Sequence, residues 1–210
     1  MFQFLLEISY LSGMETIRDK SFTDIYSHIL GEIERGSVDR KHGFHLFNFS
    51  TYDEDSGYPD SRIVVLRKLV KNSFTLRFHT DFRSRKVKHL EKNFKSFLLF
   101  YNQKSKLQIR IKCDSYLSSD EKTKKDTWDK SQEISRRCYY VPKAPSSDIE
   151  KPIFNDDLNV EDENLGYKVF SIVDANVVQL DVLELNYSGH VRVRMDVKDG
   201  NLVSSKWIMP

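Results

Sequence analysis

Basic residues are concentrated at the start of a short predicted helix, where their charge needs a partner. Ser84 is a good N-cap, and apolar residues recur after it at three- and four-residue spacing, which predicts a helix that begins near Arg85. Arg83, Arg85 and Lys86 then lie at the positive end of the helix dipole and repel it. A cap hydroxyl, free backbone N–H groups and several cations together predict an anion site, and phosphate is the commonest occupant.

Further polar residues lie along the neighbouring predicted strands. Arg62 and Arg67 flank the apolar run 63–66 of one strand. Gln108 and Arg110 share one face of a later strand, because the positions between and beside them are apolar. Taken without the helix start, these residues also fit a solvated basic rim.

The elements that must position these residues are mostly strands. An amphipathic helix is predicted over residues 21–35, with Gly36 as its stop. The predicted strands cover residues 44–51, 61–69, 73–80, 95–102 and 106–117, a second helix covers 119–138, and four more strand-like segments lie after residue 166. Short connections favour antiparallel pairing, so the predicted fold class is mainly β with flanking helices (α+β), in a small barrel or sandwich.

The composition is that of a globular chain with a sizeable core. The 210 residues carry a net charge of +2, which gives no global charge signal for nucleic acid or an acidic membrane surface. We predict an N-terminal extension over residues 1–13 and a single domain over residues 14–210, which contains a proline-containing loop at 142–166. Seven acidic residues lie within 148–163 of that loop, and such charge runs are usually solvated chain.

Several function classes lack their sequence signals. There is no P-loop, GxGxxG, HExxH or nucleophile elbow, and the six histidines are scattered, so no metal site is predicted. Cys113 and Cys138 form no framework of pairs, which favours a reducing, cytoplasmic location. The apolar N-terminal stretch contains Glu7 and is too short to span a bilayer, so no membrane partner is predicted. The basic run 83–95 does not suffice to predict a nucleic-acid partner.

Four stretches together resemble the pyridoxamine 5'-phosphate oxidase superfamily of FMN-binding proteins. They are RIVVLR at 62–67, FHTDFRSRK at 78–86, LQIRI at 107–111, and the closing Trp207 and Pro210. Their order and spacing match the family over residues 20–210. The resemblance implies an antiparallel split β-barrel of the FMN-binding split-barrel type, FMN as the cofactor, and a homodimer with FMN at the interface.

The resemblance also implies which residues bind the cofactor. They are Arg62, Ile63, Val64, Val65, Leu66, Arg67, His79, Thr80, Ser84, Arg85, Lys86 and Gln108. In this arrangement the strand from Arg62 to Arg67 lies along the flavin, and Arg85 and Lys86 hold the phosphate, which would be the anion that the helix start lacks. Arg192 and Arg194 are candidates for contact with an anionic substrate. No side chain is assigned as catalytic, because the flavin itself can carry the chemistry.

The chain departs from the vitamin B6 enzyme of this family. The substrate-binding Arg-x-His motif reads Arg192-Val193-Arg194 here, and Arg67 replaces a family lysine. These departures favour a divergent FMN-binding flavoprotein, an oxidoreductase with an unassigned small-molecule substrate. Two alternatives stay open: a flavin or tetrapyrrole binding protein without turnover, and pyridoxamine/pyridoxine phosphate oxidase itself.

Overall fold

The computed structural model describes residues 16–158, 160 and 163–210, so the predicted extension at residues 1–13 lies outside the described residues. The described strands are β1 (Leu46–Asp53), β2 (Tyr58–Val65), β3 (Lys68–Val70), β4 (Thr75–Asp81), β5 (Lys95–Asn102), β6 (Leu107–Leu117), β7 (Phe170–Glu184), β8 (Val191–Lys198) and β9 (Asn201–Trp207). The described helices are α1 (Phe22–Val38), α2 (Arg85–Lys92), α3 (Glu121–Lys130), α4 (Glu133–Arg136) and α5 (Glu163–Val169).

The described strands form one antiparallel sheet that branches at β7. Its order is β2-β1-β5-β6-β7-β4-β3, and β9 joins through β8. One edge of β7 pairs with β6, whereas the other edge pairs with β4 over residues 170–176 and with β8 over residues 179–184. Because β7 changes its partner partway along, the sheet splits into two branches. The predicted mainly β, antiparallel class with flanking helices is confirmed.

The predicted strand 61–69 is in fact two strands, β2 and β3, which pair with β1 and β4 respectively. Between them, the N–H of Leu66 donates to the carbonyl of His45, and the N–H of Arg67 donates to the carbonyl of Arg77, each at 2.9 Å. The chain therefore passes from one branch of the sheet to the other across these two residues.

Alternation along the strands fills the interior with aromatic rings. Phe47 and Phe49 on β1 are buried, with Phe100 and Phe78 respectively at centroid distances of 4.7 Å. Burial of apolar area contributes about 25 cal/mol per Å² and is the main stabilising term for such a core. The residues between the buried ones point away from the core, so β1, β5 and β6 also have a second face, which we call the outer face.

Helix α1 begins after the N-cap Ser21, as predicted, but it continues through Gly36 to Val38. The prediction that Gly36 ends the helix is wrong. A Cβ atom at this position would lie 2.7 Å from the backbone of Phe44, so the glycine allows the helix to pack closely against the segment before β1.

The predicted helix 119–138 is divided into α3, α4 and a 3-10 turn at Arg137–Tyr139. Trp128 on α3 is buried against Phe170, with ring centroids 5.3 Å apart, so the helical segment packs against β7 through this contact. The predicted loop 142–166 ends at α5, which leads into β7. Among the described residues, no helix has the length and apolar character needed to span a membrane.

Candidate functional site

Four predicted cofactor-binding side chains, Arg62, Thr80, Ser84 and Lys86, meet where β4 ends and α2 begins; we call them the barrel-end cluster. The Lys86 ammonium donates to Thr80 Oγ1 and to Ser84 Oγ, both at 3.1 Å, and the two hydroxyls lie 3.2 Å apart. Helix α2 begins at Arg85 with Ser84 as N-cap residue, as predicted, but the Ser84 side chain makes no capping bond. The N–H of Val87 donates to the Ser84 carbonyl at 3.0 Å, and the Ser84 hydroxyl caps none of the first N–H groups of α2.

The charge of Lys86 is poorly compensated. Burial lowers the pKa of Lys86, and the charge of Arg62 lowers it further, whereas Asp81 and Asp60 act in the opposite direction. Within the described part of the chain, no carboxylate lies at ion-pair distance from the Lys86 ammonium. An anion placed beside this side chain would favour its charged form.

Arg62 is held in place by β1 and by its own strand. Its Nη1 donates to the carbonyl of Phe49 at 3.1 Å and to Thr51 Oγ1 at 2.9 Å, and the guanidinium pairs with Asp60. Thr51 Oγ1 also lies 3.0 Å from Nδ1 of the buried His89. The sequence predictions missed Thr51, Asp60 and His89; the alternation of β1, which turns Thr51 inward, is the signal that could have found the first of them.

The two other cations near the helix start have different surroundings. Arg83 donates to both carboxylate oxygens of Asp81, at 2.6 Å for Nη2–Oδ2 and 3.0 Å for Nε–Oδ1, and to the carbonyl of Val141 at 3.1 Å. This cation therefore has an anion within the chain. Arg85 is exposed and forms no ion pair with any residue that the structure describes.

His79 lies on the opposite side of β4 from Thr80, beside the first residue of β7. Its ring contacts Phe170 at a centroid distance of 5.0 Å. Burial and, secondarily, the charge of Arg67 lower the pKa of His79 to about 4, so its imidazole is neutral near pH 7. Arg67 itself is exposed.

The four predicted apolar site residues differ in exposure. Ile63 is 62% exposed on the outer face, whereas Leu66 is fully buried. Val64 and Val65 are half-buried between them. Only part of this run therefore offers side-chain surface to a ligand, and the rest could contact one only through its backbone.

Gln108 lies apart from the barrel-end cluster. Its neighbours Leu107 and Ile109 are buried, so Gln108 points to the outer face of β6, whereas Arg62 points inward. The two side chains thus occupy opposite faces of the sheet. In one copy of the chain, the structure does not bring Gln108 together with the barrel-end cluster.

Arg192 and Arg194 lie near Gln108 on the outer face. Leu183 pairs with Gln108 on one side and with Arg192 on the other, so the three occupy one row across β6, β7 and β8. Arg192 pairs with Asp181, which also lies beside Arg110. We call Arg110, Asp181, Arg192 and Arg194 the outer-face arginine cluster. Sequence reasoning missed Asp181, whose signal is an acidic residue inside an otherwise apolar strand run.

A cavity of about 540 Å³ lies elsewhere, between α1 and the turns that join β5 to β6 and β7 to β8. Its lining includes Glu32, Ser105 and Glu184. It contains none of the predicted cofactor-binding residues.

Comparisons with known proteins find similarity to one family over about half of the chain. Residues 25–119 match the family model described as pyridoxamine 5'-phosphate oxidase, FMN-binding domain. A pyridoxine/pyridoxamine 5'-phosphate oxidase from Legionella pneumophila (strain Lens) is 32% identical over 120 residues, which are 57% of this chain and 54% of that protein. The match thus extends over about half the length of this curated relative. The resemblance predicted from the sequence is confirmed.

Solved structures show the same fold over most of the chain. A pyridoxamine 5'-phosphate oxidase-related, FMN binding protein from Nostoc punctiforme has a TM-score of 0.68 at 20% identity, covering 94% of this chain and 99% of that one. PhzG from Burkholderia lata, solved with tetrahydrophenazine-1-carboxylic acid, has a TM-score of 0.66 at 15% identity, covering 90% and 92%. The predicted split-barrel type is therefore confirmed.

Proposed function

We propose that the chain binds FMN and acts as an FMN-dependent oxidoreductase on a small molecule. The observation that carries the proposal is the Lys86 ammonium, which donates to the hydroxyls of Thr80 and Ser84 and has no carboxylate at ion-pair distance in the described chain. A phosphate monoester would supply the absent negative charge, and the uncapped N–H groups of α2 would supply more donors. When bound, FMN supplies the hydride-transfer chemistry, and the protein holds and orients it.

The residues at the barrel end fit these roles. In the proposal, Arg85 and Lys86 hold the phosphate, the strand 62–67 runs along the flavin, and His79 contacts it as a neutral ring. The neutrality of His79 follows from its burial. The ion pair with Asp60 keeps the Arg62 guanidinium in position. The Asp60 side chain is 39% exposed, so its carboxylate is partly solvated.

The opposite orientation of Arg62 and Gln108 supports a homodimer with FMN at the interface. A single FMN that contacts both residues needs the barrel-end cluster of one copy and the outer face of the other. The outer face has the apolar surface for such a contact, because Ile63 is 62% exposed, Leu46 is 51% exposed and Tyr101 is 43% exposed. Sedimentation velocity of the purified protein is expected to give twice the chain mass.

We further propose a cytoplasmic location. Cys113 is buried, Cys138 is exposed, and both are free thiols. Free thiols are typical of reducing compartments. Fractionation of the source cells tests this location directly.

The visible absorption spectrum of the purified protein is the first test. We expect a flavin spectrum, and heat should release FMN at about one equivalent per chain, identified by chromatography, because each chain contributes one barrel-end cluster. A colourless protein that also fails to take up added FMN would contradict the proposal.

Turnover distinguishes the proposal from its two alternatives. We expect NADH, NADPH or another donor to reduce the bound flavin faster than it reduces free FMN. A protein that holds FMN without any accelerated reduction would instead be a carrier or sensor. Formation of pyridoxal phosphate from pyridoxamine phosphate would identify the vitamin B6 oxidase, and Arg194 in place of the family histidine leads us to expect no product.

A further inference from the structure

A buried histidine lies behind the barrel-end cluster and reaches it through a second residue. His89 on α2 is 7% exposed. Its Nδ1 lies 3.0 Å from the hydroxyl oxygen of Thr51 on β1, and that oxygen accepts from Arg62 Nη1 at 2.9 Å. Thr51 is itself 3% exposed, so its hydroxyl is shielded from solvent. The three side chains form a continuous chain of hydrogen bonds, which we call the histidine relay.

The direction of the histidine relay follows from the chemistry of its donors. A guanidinium can only donate, so Thr51 Oγ1 accepts from Arg62. The hydroxyl then has its own proton to donate, and His89 Nδ1 is the acceptor within hydrogen-bond distance among the described residues. A buried donor without an acceptor is costly. The neutral imidazole therefore accepts at Nδ1 and carries its proton on Nε2, which lies 3.6 Å from Asp53 Oδ1.

The histidine relay joins two elements that carry separate cations. Lys86 lies one turn before His89 on α2, and residues three apart share a face of a helix. Arg62 lies on β2, which pairs with β1. The charge of Arg62 lowers the pKa of Lys86, so the two cations lie within electrostatic range of each other. The contact of His89 with Thr51 therefore fixes the position of α2 relative to the strand that carries Arg62.

The orientation of Arg62 depends on Thr51. Its Nη1 has two acceptors on β1, the Thr51 hydroxyl and the Phe49 carbonyl, and its guanidinium pairs with Asp60. Phe49 and Thr51 are buried, whereas the carboxylate of Asp60 is partly solvated. The acceptors on β1 therefore give the guanidinium its more rigid support. A planar guanidinium recognises a phosphate through the direction of its donors, so a rotation of this group would lower the affinity for phosphate.

We propose that His89 is a positioning residue of the phosphate site, which acts through the Thr51 hydroxyl to set the spacing and orientation of Arg62 and Lys86. It is not a catalytic residue, because it acts on the cofactor only through other side chains. The inference rests on the proposed function, since it takes the phosphate of FMN to lie between the two cations. The histidine relay then contributes to recognition of the phosphate and not of the flavin ring.

The test compares FMN with riboflavin, which lacks the phosphate, in fluorescence titrations of the flavin-free full-length protein. We expect His89→Leu to weaken FMN binding about 10-fold, because the Thr51 hydroxyl loses its acceptor, and to leave riboflavin binding unchanged. His89→Asn, whose side-chain oxygen can take the place of Nδ1, should restore most of the affinity for FMN. His42→Leu is the matched control and should change neither affinity. His42 is also partly buried, with a partner at each ring nitrogen, but it lies outside the histidine relay.

A second variant tests whether His89 acts through Thr51. Thr51→Val keeps the shape of the side chain and removes the hydroxyl, and we expect it to weaken FMN binding at least as much as His89→Leu does. The double variant should bind FMN no more weakly than Thr51→Val alone, because both changes interrupt the same chain of contacts. Additive losses would overturn the histidine relay. Equal losses of FMN and riboflavin affinity in His89→Leu would also overturn it, because they would indicate general damage to the barrel.

Failure of the proposed function gives a different result. An unmodified chain that takes up neither FMN nor riboflavin contradicts that function, whereas FMN binding that is unchanged in His89→Leu and Thr51→Val contradicts only the histidine relay. NMR of the protein with isotope-labelled histidine tests the relay without any flavin. At about pH 9, where a free imidazole is neutral, we expect the ring proton of His89 on Nε2, and His89→Leu assigns the signal. A proton on Nδ1 would overturn the relay.

Discussion

Two groups of basic side chains lie on different surfaces of this barrel, and their charges have different surroundings. In the barrel-end cluster, the Lys86 ammonium is surrounded by hydroxyls and by Arg62, and burial lowers its pKa. In the outer-face arginine cluster, a carboxylate lies at the centre, and its hydrogen bonds raise the pKa of Arg192. Lysine can lose its charge on burial, whereas arginine stays charged. The first cluster can therefore respond to pH, and the second keeps its charge.

Of the changes that test this difference, removal of Lys86 is expected to weaken FMN binding most. Lys86→Met should weaken FMN binding about 100-fold, because charge-assisted hydrogen bonds contribute about 1.5–3 kcal/mol each. A fluorescence titration of the apoprotein with FMN measures the change. Lys88→Met, an exposed lysine on the same helix, is the matched control. Equal affinities of the two variants would remove Lys86 from the phosphate site.

Alkaline pH should also weaken FMN binding, because it removes the charge of Lys86 at the barrel end. A bound phosphate raises the pKa of Lys86 above its lowered value in the free protein. Above the second pKa of the phosphate, about 6, affinity is therefore constant up to the free-state pKa of Lys86 and falls as pH rises through it. FMN titrations at increasing pH should therefore show weaker binding before free lysine titrates. Lys86→Arg should shift the decline to higher pH, because a guanidinium keeps its charge. An unchanged decline in Lys86→Arg would exclude Lys86 as the group that titrates.

Asp181→Asn tests the dependence of the second cluster on its internal carboxylate. We expect a loss of about 2 kcal/mol in the free energy of unfolding, because Arg192 loses its partner in a largely buried position. Asp60→Asn makes the equivalent change beside Arg62, where the carboxylate is more exposed, and should cost less than about 1 kcal/mol. Urea denaturation of both FMN-free variants gives the two values. The reverse order would show that Asp60 is the more important partner.

Arg85→Ala should weaken cofactor binding less than Lys86→Met does, about 10-fold, because the exposed side chain can contribute one solvent-screened contact to the phosphate. Arg83→Ala is the informative comparison, since Arg83 is already paired with Asp81. We expect it to lower stability and to leave FMN affinity nearly unchanged. An unchanged affinity of Arg85→Ala in the same titration would remove Arg85 from the phosphate site.

The parts of the site that could be predicted from sequence depend on local periodicity. Ser84 as N-cap and Arg85 as the first helical residue follow from spacing within one turn, and the structure confirms both. The shared face of Gln108 and Arg110 follows from strand alternation, and it is also confirmed. Such patterns are readable because a residue's nearest neighbours in the chain decide them.

Contacts between distant strands could not be read in the same way. Asp181 binds Arg192 because β7 and β8 pair in one register, and a shift by one residue would turn the carboxylate to the other face. Gly36 suggests a helix stop by its type, yet its packing against Phe44 lets the helix continue. In both cases, a residue from another element decides the outcome.

By itself, the sequence determined the antiparallel α+β class, the cationic start of α2 and the resemblance to the FMN-binding split barrels, since each resides in residue types and their spacing. Only the tertiary structure decided that Arg62 and Gln108 face opposite sides of the sheet, and that Arg110 and Arg194 share a carboxylate with Arg192. The reason is physical. Charge compensation depends on distances between side chains that pairing and burial set, and strand alternation fixes the face of a residue without fixing its partners.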